Sequence, residues 1–118
     1  MRITGTMQLY HNDKLLGTLE RYSYETPWAS AWLQAHDSAI IQHFAAVYSF
    51  LEWVETIPDD LPDAEADARY MQALAERGLD EAQIRDFHDG WAVRTADGEM
   101  NAIVLAIFEQ DGYLTWRW

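Results

Sequence analysis

The chain contains no cysteine. That absence excludes disulfides, thiolate metal ligands and a cysteine nucleophile together. It fits a reducing cytoplasm, since small secreted domains commonly rely on disulfides. Basic residues are scarce: eight Lys and Arg stand against twenty Asp and Glu, a formal net charge of −12. Such a surface repels nucleic acid and anionic lipid, because binding either depends on basic side chains neutralising phosphates. Long apolar runs are missing too. The longest, Ala102 to Phe108, is too short to span a bilayer, and Met1-Arg2-Ile3-Thr4-Gly5 begins no stretch of signal-peptide length. These absences predict a cytoplasmic protein with neither nucleic acid nor membrane as partner. Glycines are few and unclustered, so no loop cradles a phosphate, and the chain carries no GxSxG elbow, Walker loop, GxGxxG fingerprint or HExxH pair. No catalytic, cofactor-binding or metal-ligating residue is assigned, and no cofactor is expected.

What is present is a chain of 118 residues, 49% hydrophobic and 24% charged, with six Trp and six Tyr. That length falls in the range of one domain and suffices for a core. No repeat, low-complexity tract or linker divides it, so residues 1–118 are read as one α+β domain. Thr4, Thr6, Gln8, Thr18 and Glu20 alternate with Met7, Leu9, Leu15 and Leu19, which predicts a hairpin around Asn12-Asp13 with one buried face. A two-residue turn there would set Leu9 against Leu16, whereas a three-residue loop through Lys14 keeps the apolar set together. The longer loop is therefore expected. A third strand follows Pro27, from Trp28 to Leu33.

Asp37 is read as the cap of a helix in which Ile40, Ile41, Phe44, Val47, Tyr48, Leu51 and Val54 recur at helical spacing. A flanking row of Ala46, Phe50, Trp53 and Ile57 widens the apolar surface beyond one face. Pro58 ends the helix. Asp63 is expected to cap a second helix reaching Arg77, with Gly78 as its stop. Asp80 to Gln83 forms a capping box opening a short third helix that ends near His88. The last third reads as a β-meander with type I′ turns at Asp97-Gly98 and Asp111-Gly112, pairing Thr95 with Met100 and Ile107 with Trp116. On that register Leu105, Ile107, Leu114, Trp116 and Trp118 share one face. Trp91, Val93, Ala102, Val104, Ala106 and Phe108 take the other, and the middle strand is central or half-covered. The whole predicts an antiparallel sheet of about five to six strands against two to three helices.

Several groups invite a chemical reading. His36-Asp37 and His88-Asp89 are His-Asp pairs of the type found in metal-dependent phosphohydrolases, but those enzymes need further ligands on an all-helical scaffold. Helix capping explains both pairs more simply. The Asp59-Asp60-Leu61-Pro62-Asp63 loop lacks the alternating ligands, central Gly and distal Glu of a calcium loop. Glu52 and Glu55 are spaced for mutual pKa perturbation on one helix face, although an exposed acidic stripe is the simpler reading. No Lys or Arg lies between Tyr22 and Ala68, where acidic residues are dense. The aromatic residues are the most distinctive feature, serving as core or as interaction hot spots.

Leu9-Tyr10-His11-Asn12-Asp13-Lys14-Leu15-Leu16-Gly17-Thr18-Leu19, then Pro27-Trp28 and a terminal Trp116-Arg117-Trp118, resembles a scattered group of small uncharacterised bacterial proteins. The resemblance implies a bacterial cytosolic α+β domain and no particular reaction or ligand. The favoured expectation is a non-enzymatic interaction module, immunity-like, antitoxin-like or inhibitor-like, that binds a basic protein partner. Candidate partner-binding residues are Trp28, Trp32, Glu52, Glu55, Asp59, Asp60, Asp63, Trp91 and Phe108. The alternatives are a homodimer through Trp91, Val104 and Phe108, and a small-ligand domain or minor enzyme. The latter would have a pocket between sheet and main helix lined by Trp32, Tyr48, Trp53 and His43.

Overall fold

Two residues in the left-handed region set the first hairpin. In the computed structural model, which describes residues 5–118, Asn12 and Asp13 have φ of 49° and 65°. That is the requirement of a two-residue type I′ turn. They join β1 (Met7–His11) to β2 (Lys14–Glu25), and His11 pairs with Lys14. The expected three-residue loop is therefore not used. A β-bulge does its work: Tyr10 faces Leu15 but Leu9 faces Gly17, so Leu16 is the extra residue and the register shifts by one. Met7, Leu9, Leu16 and Leu19 all reach the core as a result. Thr4, expected in this strand, lies outside the described residues.

β2 continues into β3 (Trp28–Ala35), two residues longer than expected. Gly17 faces Ala35 so closely that a Cβ would stand 2.1 Å from the Gln34 carbonyl oxygen. α1 (Ser38–Val54) follows, with the Asp37 carboxylate accepting the Ala39 N–H at 2.9 Å. Ala45, Val47 and Phe50 are its fully buried residues, flanked by half-buried Ile40, Ile41, Phe44, Tyr48, Leu51, Trp53 and Val54. α2 (Asp63–Glu76) corrects the assignment of Asp63: Pro62 holds the cap position with no side-chain bond, and Asp63 is the first helical residue. Proline's fixed φ suits that entry, while Asp63 and Glu65 in the first turn complement the positive end of the helix. Gly78 (φ 67°) closes α2 as expected, with Leu79 N–H donating to Leu74 and Gly78 N–H to Ala75, both at 3.0 Å. α3 (Glu81–His88) opens on the Asp80–Gln83 capping box.

The C-terminal strands depart further from expectation. β4 (Trp91–Arg94), β5 (Met100–Ala102), β6 (Val104–Phe108) and β7 (Tyr113–Arg117) form two hairpins, not a consecutive meander. The sheet has seven strands, all antiparallel, in the order β5-β4-β1-β2-β3-β7-β6. β5 and β6 are thus its two opposite edges, yet only Ile103 separates them in the chain. Two peptide units span at most about 7.6 Å, so the sheet curls until its edges almost meet. The strand expected at the centre is instead the seam. It is half-covered: Val104 is 66% exposed, and Leu105 to Ile107 are half-buried.

Both Asp-Gly turns are three-residue loops in which only the glycine is left-handed (Gly98 φ 89°, Gly112 φ 88°). Thr95 N–H donates to Glu99 and Glu109 N–H to Tyr113. The aspartate carboxylates accept from Glu99 N–H and Tyr113 N–H at 3.1 and 3.0 Å, which is what favours the longer loop. Registers follow: Arg94 pairs with Met100, and a bulge places Ile107 opposite Thr115 and Phe108 opposite Leu114. Phe108 therefore joins Leu114 and Trp116 on one face. With Trp91, Val93, Val47 and Phe50 they make a single core.

Candidate functional site

An open cleft of about 690 Å³ lies between α1 and the turn joining β6 to β7. From α1 come Ala45, Tyr48, Ser49 and Glu52, whose i, i+3, i+4, i+7 spacing forms one helix stripe. The turn supplies Glu109, Gln110, Asp111 and Tyr113, and β3 supplies Trp32. Strand pairing explains the convergence: Trp32 faces Tyr113 across β3 and β7, and their ring centroids are 4.8 Å apart at 54°. Asp111 ties the pieces together. Its Oδ1 accepts the Tyr113 N–H at 3.0 Å, and its Oδ2 accepts the Trp32 indole N–H in a long 3.4 Å bond. The Arg21 guanidinium lies 4.3 Å from the Trp32 ring centroid, held there by a β2 bulge at which Arg21 takes φ 55°.

The charged groups lining the cleft are all acidic, with the Arg21 guanidinium on the Trp32 ring as a neighbouring cation. Glu52, Glu109 and Asp111 line the cleft, and no Lys or Arg does. The one salt bridge among the described residues, Arg69 to Glu65 at 3.3 Å, is on α2. Burial, then the negative charges of Glu52 and Glu109, hold the Tyr48 hydroxyl above the usual tyrosine range. Both carboxylates line the same recess as that hydroxyl, and negative charge nearby disfavours its ionisation.

The structure distributes the sequence-derived candidates unevenly. Trp32 and Glu52 line the cleft. Trp28 is 42% exposed at the start of β3, with the Arg117 guanidinium 5.7 Å from its ring. Glu55, Asp59 and Asp60 are exposed between α1 and α2, Asp63 is exposed at the first position of α2, and none of the four lines this cleft. Trp91 and Phe108 are buried core residues, although Phe108 forms part of the cleft floor. Of the surface expected for a homodimer, only Val104 is exposed. The anticipated sheet–helix pocket contains Trp32 and Tyr48 but not the other two. Trp53 stacks on Phe50 at 6.0 Å, and His43 lines a separate cleft of about 470 Å³ with His11, Lys14, Phe44 and Asp86. Among the described residues, no three His, Asp or Glu side chains converge to hold a metal ion, and no helix is long and apolar enough to cross a membrane.

Glu109, Asp111 and Tyr113 were missed. The Asp111-Gly112 pair read only as a turn, and nothing local to it shows that β7 pairs with β3. No family model matches this chain, and no curated protein or solved structure is significantly similar to it.

Proposed function

We propose that the protein is a non-enzymatic interaction module that binds a basic protein, with this cleft at the centre of the contact. The observation that carries the reading is the convergence of three carboxylates with the rings of Trp32, Tyr48 and Tyr113, without a basic residue among the lining. In a chain of net charge −12, uncompensated carboxylates in a recess concentrate negative potential. A basic partner relieves that repulsion while being steered towards it. Aromatic rings beside the charges supply the desolvated anchors typical of binding hot spots. Immunity proteins and antitoxins that mask basic nucleases work on this principle. A small-ligand pocket is the second reading, favoured by the volume. The openness of the cleft and its charged rim suit a side chain presented by a larger partner better.

Titration with a lysine- and arginine-rich peptide tests the proposal. Raising the ionic strength from about 10 mM to about 150 mM shortens the Debye length from about 30 to about 8 Å and should weaken binding steeply. Glu52→Gln, Glu109→Gln and Asp111→Asn together should weaken low-salt binding at least about tenfold, while neutralising Glu76, Glu81 and Glu99 changes it by less than about twofold. Equal losses from both sets would mean that bulk charge alone attracts the peptide, and the reading would fall.

A further inference from the structure

We infer that the cleft is a recognition site for a guanidinium group, an arginine side chain of the basic partner, in preference to a lysine ammonium. The inference rests on the interaction-module reading and specifies what the site selects. A guanidinium is flat, with two faces for stacking and five N–H donors in its plane, whereas an ammonium is a compact, strongly hydrated point charge. The cleft offers both kinds of partner. Trp32 and Tyr113 are inclined to each other at 4.8 Å, and Tyr48 stands on the helix side of the same recess. Glu52 and Glu109 line the same recess as Trp32, Tyr48 and Tyr113, so acceptors lie near the rings. Carboxylates beside aromatic faces match a planar fork of donors better than they match a single charged point.

Two further observations point the same way. Trp32 already accepts a guanidinium within this protein, since Arg21 lies 4.3 Å from its ring centroid. Its indole N–H donates to Asp111, and donation to an anion polarises the indole towards greater negative charge on its faces. The carboxylates, meanwhile, have no salt-bridge partner among the described residues. A cationic visitor would therefore displace no internal ion pair.

The test uses the intact chain and two blocked pentapeptides of glycine, one with arginine at its centre and one with lysine. Binding is followed by NMR on the indole N–H of Trp32, identified by its loss in Trp32→Phe. The arginine peptide should shift that resonance and bind at least about fivefold more tightly than the lysine peptide. In the variants, where that resonance is absent and affinity is measured by calorimetry instead, Trp32→Leu should abolish the preference, and Trp32→Phe, which keeps an aromatic face, should retain part of it. The Tyr48 ionisation midpoint should fall when the arginine peptide saturates the site, because the bound cation offsets Glu52 and Glu109. Equal affinity for the two peptides, or binding that leaves Trp32 undisturbed, would overturn the inference while salt-sensitive binding of the polybasic peptide kept the module reading intact. Failure of all three peptides to bind at low ionic strength would overturn both.

Discussion

His11 offers a sharp test of how this fold closes. It ends β1, is 8% exposed, and places Nε2 at 2.5 Å from the Asp86 carbonyl oxygen and 3.0 Å from that of Asp89. Carbonyls only accept, so Nε2 carries the proton in this arrangement. The last carbonyls of a helix lack partners within the helix. At the end of α3 they are met by His11 and by Trp91, whose indole N–H donates to Phe87 at 2.7 Å. His11→Phe keeps a ring between Phe44 and Trp91, whose centroids lie 5.1 and 4.3 Å away, but removes the donor. Leaving a buried acceptor unsatisfied costs about 1–3 kcal/mol. One N–H serves both carbonyls, and Asp86 and Asp89 are exposed residues within reach of water, so about 1–2 kcal/mol is expected. With a urea m value of about 2 kcal/mol/M, the middle of the usual range, the midpoint should fall by about 0.5–1 M at unchanged m. His11→Ala should lose more, since it also opens a cavity. A double-mutant cycle with Trp91→Phe should show coupling of at least about 0.5 kcal/mol, because the rings touch and serve one helix end. A His11→Phe protein within about 0.3 kcal/mol of the parent would refute the reasoning, showing that water satisfies these carbonyls at no cost.

Two further predictions concern close approach and charge. Gly17→Ala should destabilise by at least about 2 kcal/mol in chemical denaturation, because its Cβ would meet the Gln34 backbone oxygen at 2.1 Å and backbone cannot rotate away. Tyr48 should ionise later than an unperturbed tyrosine in ultraviolet titration. Burial is the larger cause, so Glu52→Gln with Glu109→Gln should lower the midpoint without restoring the ordinary value. A pKa raised on folding favours the folded state below the unfolded value of about 10, and that contribution disappears as pH rises through the folded value. An unchanged midpoint in the double variant would separate these carboxylates from the tyrosine.

The local signals in the chain were readable because each depends on only a few neighbouring residues. Asp37, the Asp80–Gln83 box and Gly78 start or stop helices through groups within four residues of themselves. The α1 periodicity likewise foretold a wide apolar surface. Registers were less legible. In the first hairpin the conflict between turn length and apolar pattern was visible, but a loop and a bulge solve it equally well, and only packing against the rest of the sheet selects the bulge at Leu16. The Asp-Gly turns failed for a related reason. Both residues tolerate a type I′ turn, but the aspartate carboxylates find backbone N–H groups in the longer loop, and every pairing beyond shifts.

The cleft shows the same division most clearly. Trp32 and Glu52 could be singled out from aromatic content and acidic surroundings, and the scarcity of basic residues established the sign of the field. Glu109 and Asp111 carry no mark that separates them from ordinary turn residues, and Tyr113 stands out only as one of many aromatic residues. They join Trp32 because β7 pairs with β3 across an interval of about eighty residues, and they face Tyr48 because the curled sheet folds that turn against α1. Composition and short-range pattern thus determined the α+β class, the starts of α1 and α3, the stop of α2 and the acidity of this protein. Tertiary structure alone decided which acids meet which rings, since strand order and curl depend on long-range pairing that no local stretch of sequence encodes.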